Sequence, residues 1–383
     1  MTIRNLDRLL APDAVALIGA SDREGSLGRV VLRRLRSGGF RGRLDLVNPR
    51  WRSIGGQDCV SSVADLAQAP DLGVIVTPPA TVPGLIADLG RAGARAAVVI
   101  TAGLDSEARQ RMLDAARPHC LRVLGPNCLG LQVPRIGLDA SFAHLRARTG
   151  SLALLSQSGA IVTAMIDWAE ARGIGFSAVA SMGEMADVDV GDLVDHLARD
   201  TGTRAILLYL EHVTNARKFI SAARAAARVK PVIAIKAGRS AEAARAAASH
   251  TGALAGSDAI YDAALRRAGI LRVDELEDLF DAAEALSRLR PSPGNRLAVV
   301  TNGGGAGVLA ADGLRGAGAE LATLSDSTLA ALDAVLPRTW SRSNPVDIIG
   351  DAPPERYGAA LGAVGVVFTL QGEDPDASHD AAL

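Results

Sequence analysis

The sequence has few aromatic residues and few cysteines. Phe, Trp and Tyr together account for 3% of its 383 residues, which leaves few rings on which the bases of a single-stranded nucleic acid can stack. The three cysteines, Cys59, Cys120 and Cys128, are spaced unevenly and match neither a disulfide framework nor a zinc knuckle. These absences argue against a single-strand-binding protein, a disulfide-stabilised domain and a metal site.

The sequence also has no excess of charge of one sign and no long apolar runs. The 41 Lys and Arg residues nearly balance the 42 Asp and Glu residues, so no overall field favours nucleic acid or a membrane surface. The longest apolar runs have the length of a strand, too short for a membrane-spanning helix, and the N-terminus lacks the apolar segment of a signal peptide. The sequence therefore predicts a soluble, cytoplasmic protein that binds neither nucleic acid nor membrane.

What the chain does contain is a repeated order of apolar strand, Gly- or Ser-rich loop, and helix. Its high Ala, Gly and aliphatic content is typical of parallel sheets covered by helices, and its length allows two or three domains. The first such unit is the strand Ala14–Ile18, the loop Gly19–Gly28 and the helix Arg29–Arg36. Backbone N–H groups and the helix dipole in such a loop face an anion, as in doubly wound nucleotide-binding folds.

The residues of this first unit do not by themselves identify its ligand. The second predicted strand, Leu44–Val47, ends in Asn48-Pro49-Arg50-Trp51-Arg52, without the acidic residue that a NAD site places on the ribose. The two arginines suit an additional phosphate, as in NADP or coenzyme A. A solvated basic loop is an equally good interpretation of this segment.

Three further strands are predicted at Leu72–Val76, Ala96–Ile100 and Arg122–Leu124, each followed by a Pro- or Gly-rich loop. Because ligands of open parallel sheets bind at the carboxyl ends of the strands, these loops are expected to line one crevice. Cys128, in the last of these loops, has no identifiable base nearby. We interpret it as a structural or ligand-lining residue and not as a nucleophile.

A second anion site is predicted after the strand Ser151–Leu155. This strand leads into Ser156-Gln157-Ser158-Gly159-Ala160 and then into the helix Ile161–Arg172. Hydroxyl groups and backbone donors converge where a helix begins after a parallel strand. Simple capping of the helix by one serine is the alternative.

Two more side chains are expected at the same edge. Glu211 follows the apolar strand Ala205–Leu210, and His250 lies in the loop Ser249–Asp258, after the strand Val232–Lys236. A carboxylate can orient a histidine ring, and a histidine can attack a phosphoryl group as a covalent nucleophile. Alone, His250 is best interpreted as a surface or capping residue. With Glu211 and the serines on one edge, it becomes a candidate phosphoryl carrier.

A third strand–glycine–helix unit is predicted near the end of the chain. It comprises the strand Arg296–Thr301, the loop Asn302–Gly307 and the helix Val308–Gly316. Anion binding and close packing or subunit docking explain its glycines equally well. The acidic segment Gly372–Asp376 predicts a disordered tail.

As a set, the motifs of this chain occur in an order that identifies a family. The stretches are Gly19–Gly28, Ile100-Thr101-Ala102-Gly103, Gly125-Pro126-Asn127-Cys128, Ser156-Gln157-Ser158-Gly159-Ala160, Met182-Gly183, Ala186-Asp187-Val188-Asp189, Leu208-Tyr209-Leu210-Glu211, Lys236-Ala237-Gly238 and Ser249–Ser257. Over roughly residues 8–350 the chain resembles the NDP-forming acyl-CoA synthetases, relatives of the succinyl-CoA ligase α subunit, and especially the ADP-forming acetate–CoA ligases.

This resemblance implies an α/β fold with parallel sheets. A Rossmann-like CoA-binding domain is expected at residues 1–145, and a flavodoxin-like ligase domain carrying the histidine loop at 146–290. A partial third flavodoxin-like domain with a disordered C-terminal tail is expected at 291–383.

The resemblance also implies roles for individual residues. His250 would carry a phosphoryl group, oriented by Glu211, during the interconversion of acyl-CoA, ADP and phosphate with a carboxylic acid, CoA and ATP. Phosphate or acyl phosphate would be bound by Ser156, Ser158, Gly159 and Gly252. Coenzyme A would be bound by Gly19, Ala20, Ser21, Asn48, Arg50, Thr77, Pro78, Ile100, Thr101 and Asn127.

One departure from the family limits this expectation. The family binds ADP or ATP with Mg²⁺ in an ATP-grasp module, which this sequence lacks. The expected partners are acetate or another small acid, CoA and phosphate, together with either an ATP-grasp β-type subunit or further copies of the chain. A CoA-binding regulatory module without catalysis and a fragment of a larger fused synthetase or acetyltransferase remain alternatives, and an NADP oxidoreductase would rest on the first domain alone.

Overall fold

The computed structural model describes residues 4–240, 242–243, 257–288 and 294–365. The chain divides into two compact units, residues 1–289 and 290–383, and each is described by itself. His250, Gly252 and most of the predicted histidine loop lie outside the described residues, as does the predicted disordered tail beyond residue 365.

The first half of the larger unit forms a sheet of seven strands in the order β3-β4-β2-β1-β5-β6-β7. Its strands are β1 (Ala14–Ile18), β2 (Arg43–Val47), β3 (Ser53–Ile54), β4 (Gln57–Val60), β5 (Leu72–Ile75), β6 (Ala96–Val99) and β7 (Arg122–Leu124). All neighbouring pairs are parallel except β3 and β4. The helices of this half are α1 (Leu6–Leu10), α2 (Leu27–Ser37), α3 (Val82–Ala92) and α4 (Ser106–Ala116).

Local sequence explains how α2 begins and which face it buries. Ser26 accepts a hydrogen bond from the backbone N–H of Arg29, which satisfies one of the free donors at the start of the helix. Val31, Leu32 and Leu35 recur at helical spacing and are buried, while every residue of β1 is buried. The sheet therefore has helices on both faces, and only its strand ends are left for ligands.

The second half of the larger unit forms another seven-stranded sheet, in the order β14-β13-β12-β10-β11-β8-β9. Its strands are β8 (Gly130–Val133), β9 (Leu138–Ser141), β10 (Thr149–Ser156), β11 (Phe176–Ser181), β12 (Ala205–Leu210), β13 (Val232–Lys236) and β14 (Leu271–Val273). Its helices are α5 (Gly159–Ala171), α6 (Val190–Arg199), α7 (Ala216–Ala227), α8 (Asp258–Ala268) and α9 (Leu276–Arg288). The strands from β10 to β14 pair in parallel, whereas β8 and β9 join as an antiparallel edge.

The expected α/β fold with parallel sheets is confirmed, with one difference in how its halves are joined. The strands β8 and β9 precede residue 145 but belong to the second sheet. A single cluster of buried side chains, which includes Leu17, Leu138 and Leu155, contacts both sheets. The two halves therefore share one hydrophobic cluster, in addition to a separate cluster within each half.

The smaller unit contains short strands and three helices within residues 294–365. Its elements are β15 (Arg296–Leu297), β16 (Val300–Thr301), β17 (Glu320–Leu321), β18 (Val346–Asp347), α10 (Gly304–Gly316), α11 (Asp326–Val335) and α12 (Pro354–Val364). The prediction of one strand over Arg296–Thr301 is wrong, because β15 pairs with β17 and β16 pairs with β18 in separate two-stranded sheets. A core that includes Leu332, Trp340 and Ile348 holds this unit together. Its assignment as a partial flavodoxin-like domain stays a prediction.

Among the helices within residues 4–240, 242–243, 257–288 and 294–365, none combines the length and the apolar character needed to cross a membrane.

Candidate functional site

The carboxyl edge of the first sheet brings together the loops that the sequence predicts for coenzyme A. Gly19 directly follows β1 with φ at +98°, and its N–H donates to the carbonyl of Val47 at 2.9 Å. The Asn48 side-chain amide donates to the carbonyl of Ala20 at 2.7 Å, and its oxygen accepts from Arg50 N at 2.9 Å. Asn48 therefore ties the glycine loop to the basic loop after β2.

The next loops along this edge are connected in the same way. The Thr101 hydroxyl donates to the carbonyl of Thr77 at 2.7 Å, and Asn127 N donates to the carbonyl of Thr101 at 2.9 Å. Ile100 pairs with the end of β5 through its N–H, and Pro78 precedes a short helical turn. The predicted CoA-binding positions after β1, β2, β5, β6 and β7 thus form one continuous edge.

Two cations stand at the rim of this edge. Arg50 and Arg52 are exposed, and within the described residues neither forms an ion pair. Ser21 accepts a hydrogen bond from Arg23 N at 3.0 Å, so its oxygen shapes the glycine loop. Two unneutralised guanidinium groups can bind phosphate groups in a bidentate manner.

The carboxyl edge of the second sheet carries the predicted anion site. Ser156 ends β10 and is fully buried; its hydroxyl donates to the Ser158 carbonyl at 2.8 Å and accepts from Ser158 N at 3.1 Å. The Ser158 oxygen accepts from Ile161 N and caps α5, which leaves its hydroxyl proton available to a ligand. Gly159 begins α5, whose first turn has no acidic residue. The N–H groups of that turn, which lack partners within the helix, face an anion without a competing carboxylate.

Gln157 connects this turn to the predicted carboxylate. Its Oε1 accepts hydrogen bonds from Glu211 N at 2.5 Å and His212 N at 3.1 Å. Its Nε2 lies 3.2 Å from His212 Nδ1. Because Ser156 is also paired with Tyr209 in the parallel register of β10 and β12, the main chain of Glu211 lies beside the turn that is predicted to bind an anion; the roles of both stay predictions.

Lys236 adds a buried cation to the same edge. It ends β13 opposite Leu210 and is 2% exposed. Its ammonium lies 4.6 Å from the centre of the Tyr261 ring. Burial lowers the pKa of Lys236 and the charge of Arg272 adds to this shift, whereas the charges of Asp258 and, less strongly, Glu211 oppose it. A groove of about 480 Å³ opens beside this residue, lined by Tyr209, Lys236, Arg239, Ser240, Ala243 and Asp274 among others.

The two edges are joined by backbone hydrogen bonds. Glu184 N donates to the carbonyl of Pro126 at 2.9 Å, and Ala186 N to that of Gly125 at 3.1 Å. The Gly125–Pro126 peptide bond is cis. At Gly183, with φ at +57°, an added Cβ would lie 2.2 Å from the Pro126 carbonyl oxygen. The loop after β7 in the first sheet and the loop after β11 in the second are therefore in direct contact.

Cys128, interpreted from the sequence as structural or ligand-lining, is in a position unsuited to a nucleophile. Its side chain is buried, and its thiol donates to the carbonyl of Val99 at 3.4 Å. Burial raises the pKa of Cys128 to about 12, which keeps it protonated and unreactive near neutral pH.

Two predicted site residues lie outside the described part of the chain, and two residues at the site were not predicted from the sequence. The predicted phosphoryl carrier His250 and the phosphate-binding Gly252 are outside the described residues. In the part of the chain that is described, no group of three or more His, Cys, Asp or Glu residues could hold a metal ion. Sequence reasoning missed Gln157, although its position between two serines was a signal, and missed Lys236, whose burial no local pattern indicates.

Family models match both halves of the larger unit. A model described as "CoA binding domain" matches residues 13–134, and one described as "Succinyl-CoA ligase like flavodoxin domain" matches residues 149–286. Fold and site thus define a CoA-binding domain followed by a ligase-type domain.

Similarity to individual proteins identifies the family within this class. The chain is 40% identical to acetate–CoA ligase [ADP-forming] I of Archaeoglobus fulgidus over 93% of its own length, and spans 52% of that protein. It is 37% identical to acetate–CoA ligase [ADP-forming] I subunit alpha of Pyrococcus furiosus, covering 93% of this chain and 79% of that subunit. The chain belongs to the family of the ADP-forming acetate–CoA ligases.

A solved structure supports the same relationship. The dinucleotide-forming acetyl-coenzyme A synthetase 1 of Ca. Korarchaeum cryptofilum, in complex with phosphate and ADP, superposes with a TM-score of 0.90 at 39% identity, covering 94% of this chain and 78% of that chain. The chain spans about half the length of the first two curated relatives that it matches.

Proposed function

We propose that this chain is the α-type part of an ADP-forming acyl-CoA synthetase. It would convert acyl-CoA and phosphate into CoA and an acyl phosphate, transfer the phosphoryl group to His250, and deliver it to ADP, with each step reversible. Acetate or another small carboxylic acid is the proposed product. Relatives in the family are named acetate–CoA ligase [ADP-forming], and the geometry of the described residues supports an activity of this kind for this chain.

One observation carries the proposal. Gln157 binds Glu211 N through its side chain, while the flanking residues Ser156 and Ser158 form the turn that starts α5. This arrangement supports the proposal because the turn proposed to bind the anion and the main chain of Glu211 are connected at the ends of neighbouring parallel strands, where α/β folds carry their chemistry. The described chain resumes at Ser257 at the same edge, since Asp258 begins α8 and Arg272 binds it at 2.7 Å.

Coenzyme A is proposed to bind the carboxyl edge of the first sheet. The positions involved are Gly19, Ala20, Ser21, Asn48, Arg50, Thr77, Pro78, Ile100, Thr101 and Asn127. The contact between the loops after β7 and β11 supports this proposal, because it makes the proposed CoA-binding edge continuous with the edge that carries the proposed anion site. Arg50 and Arg52 would contact phosphate groups of the ligand.

ADP with Mg²⁺ is proposed to bind an ATP-grasp module on a β-type subunit or a fused domain. The support is that two relatives are named as α subunits, and others span about twice the length of this chain.

The proposed phosphorylation is tested with acetyl-CoA and radiolabelled phosphate. We expect an acid-labile, base-stable label on the chain, because phosphohistidine has this stability. The label should be lost in His250→Ala and kept in His144→Ala, a control in which an exposed histidine paired with Asp167 is removed. Label that survives in His250→Ala would refute the assignment of the carrier.

The proposed cofactor site is tested by calorimetric titration with CoA and, separately, with NADP. We expect CoA to bind and Arg50→Ala to weaken its binding several-fold, because one charged contact is removed. Binding of NADP in preference to CoA would contradict the proposal and favour an oxidoreductase.

A further inference from the structure

The side-chain amide of Gln157 has only one possible orientation. Its Oε1 accepts hydrogen bonds from the main-chain N–H groups of Glu211 and His212, at 2.5 and 3.1 Å. A backbone N–H can only donate, so an oxygen must occupy this position and the amide nitrogen must occupy the other. The hydrogen-bond network therefore determines which end of the amide is which.

The amide nitrogen in turn determines the protonation state of His212. Gln157 Nε2 lies 3.2 Å from His212 Nδ1 and 3.6 Å from the sulfur of Met185. Because an amide nitrogen donates and does not accept, Nδ1 must accept the hydrogen bond and carries no proton. A neutral imidazole of this kind carries its proton on Nε2. His212 is thus held as the Nε2–H tautomer.

The surroundings of the ring favour the same state. Burial lowers the pKa of His212, and the nearby ammonium of Lys236 lowers it further. A second proton on Nδ1 would point at an N–H group and would place a cation beside a buried lysine. Both effects keep the ring neutral.

His212 consequently has one donor and no free lone pair. Nδ1 is occupied by Gln157, and Nε2 is protonated, so neither nitrogen can attack a phosphoryl group. Within the described residues, Nε2 has no hydrogen-bond partner. Nδ1 of the same ring lies 3.2 Å from Nε2 of Gln157, the residue that precedes the Ser158 cap of α5, and a neutral N–H donor in this region is suited to a phosphate oxygen.

We propose that His212 donates its Nε2–H to the phosphate or phosphoryl group at the first turn of α5, and that Gln157 is the positioning residue that keeps the proton on Nε2. The inference rests on the proposed function and adds a ligand to its anion site. It also separates His212 from the proposed carrier His250: His212 binds the phosphoryl group and does not accept it.

The tautomer is tested by NMR of the full chain labelled with ¹⁵N-histidine. Among the signals of the six histidines, the one lost in His212→Phe is assigned to His212. We expect an unprotonated Nδ1 and a protonated Nε2 at neutral pH. In Gln157→Glu, a carboxylate oxygen replaces the donor, and the proton should move to Nδ1. A wild-type spectrum with a protonated Nδ1 would overturn the inference, whether or not any variant folds.

The ligand role is tested by titration with inorganic phosphate. In the wild type, phosphate should shift the Nε2 signal of His212. By calorimetry, His212→Phe should bind phosphate roughly 10- to 100-fold more weakly, as expected for the loss of one hydrogen bond to a charged group. The matched control His144→Phe, with an exposed ring elsewhere, should bind as the wild type does.

The two proposals fail in different ways. If the wild type binds phosphate but His212→Phe binds it equally well and the His212 signals do not move, the donor role is refuted and the proposed function stands. If the wild type binds no phosphate, the anion site of the proposed function is refuted together with the inference.

Discussion

Asp139, on β9, is a charged group that the proposed chemistry does not use. It is 1% exposed. The Ser141 hydroxyl donates to its Oδ1 at 2.6 Å, while its Oδ2 is buried without a hydrogen-bond partner among the described residues. Burial raises the pKa of Asp139 to about 6, although Arg34 and Arg146 partly oppose this shift.

This environment predicts a pH-dependent stability. The folded-state pKa of Asp139 lies above its ordinary value, so the folded state binds more protons, and the contribution to stability falls as the pH rises from about 4 to about 6. Relative to the wild type, Asp139→Asn should therefore gain up to about 3 kcal/mol in free energy of unfolding between about pH 4 and about pH 8. Urea titrations at both pH values measure this difference. The exposed control Asp58→Asn should show no such change, and a gain equal to that of Asp139→Asn would contradict the assignment.

The thiols make a second prediction about individual residues. Cys59 and Cys128 are buried, and burial raises the pKa of both thiols, whereas Cys120 is partly exposed. Because the thiolate is the reactive species, iodoacetamide should modify Cys120 first in the folded chain. Mass spectrometry of peptides should find Cys59 and Cys128 modified only after unfolding. Early modification of Cys128 would mean that its loop opens in solution.

The loop between β1 and α2 depends on a close backbone approach. At Gly28, an added Cβ would lie 2.0 Å from the carbonyl oxygen of Gly19 and 3.3 Å from Ser21 N. The loop must shift to accept any side chain there. The glycine therefore allows the start of α2 to approach the proposed CoA-binding loop.

The substitution Gly28→Ala tests this close approach, and Gly84→Ala, in a helix of the same half of the unit, is its control. Gly28→Ala should destabilise the chain by about 1–3 kcal/mol, the usual cost of overpacking, and should weaken CoA binding. Gly84→Ala, in α3 with no atom within 4 Å of the new Cβ, should stabilise it by roughly 0.5–1 kcal/mol because alanine favours helix. Thermal unfolding measures both. Equal effects of the two substitutions would show that the approach at Gly28 is not restrictive.

At the scale of the whole larger unit, a buried charge network links its two sheets. Arg122, on β7, lies 3.0 Å from Asp187 and 3.0 Å from Asp192. The Lys218 ammonium, on α7, lies 2.9 Å from Asp192 and 2.9 Å from Asp189. The network thus crosses from the last strand of the first sheet to two helices that cover the second.

Breaking this network should destabilise both halves together. Arg122→Leu leaves Asp187 without its cation and leaves Asp192 with Lys218 alone, and breaking an ion pair costs about 3–5 kcal/mol at buried sites. Arg117→Leu, which removes an arginine with 74% side-chain exposure from an ion pair with Asp114, should cost less than about 1 kcal/mol. Denaturant unfolding followed by circular dichroism measures both variants. A cost for Arg122→Leu no larger than that of the control would show that the network does not stabilise the unit.

Much of the fold was predictable because its signals are local. The strands Ala14–Ile18, Arg122–Leu124, Ala205–Leu210 and Val232–Lys236 have the same bounds in the sequence prediction and in the structure. Continuous apolar runs bounded by Gly, Pro or polar residues are the signature of buried parallel strands. The prediction failed at Arg296–Thr301, where a run of the same kind divides between two small sheets, because strand partners are chosen by distant residues.

For the candidate site, the sequence predicted only which residues lie at the ends of strands. Ser156, Glu211 and Asn127 follow predicted strands, so their common location at the sheet edges could be inferred. The partners of the side chains at those edges could not. Nothing in the local sequence indicates that Gln157 binds His212, or that Asp139 and Lys236 are buried.

By itself, the sequence determined the alternation of strands, glycine loops and helices, the positions of the turns that are proposed to bind anions, and the family. The first two depend on residue type and spacing within about 10–20 residues along the chain, and the family follows from the order of such motifs along most of the chain. Only the tertiary structure decided that β8 and β9 complete the second sheet, that one core and one charge network join both halves, and that Gln157 holds His212 in a single tautomer. These features depend on contacts between residues far apart in sequence, and their energies depend on burial that no local pattern encodes.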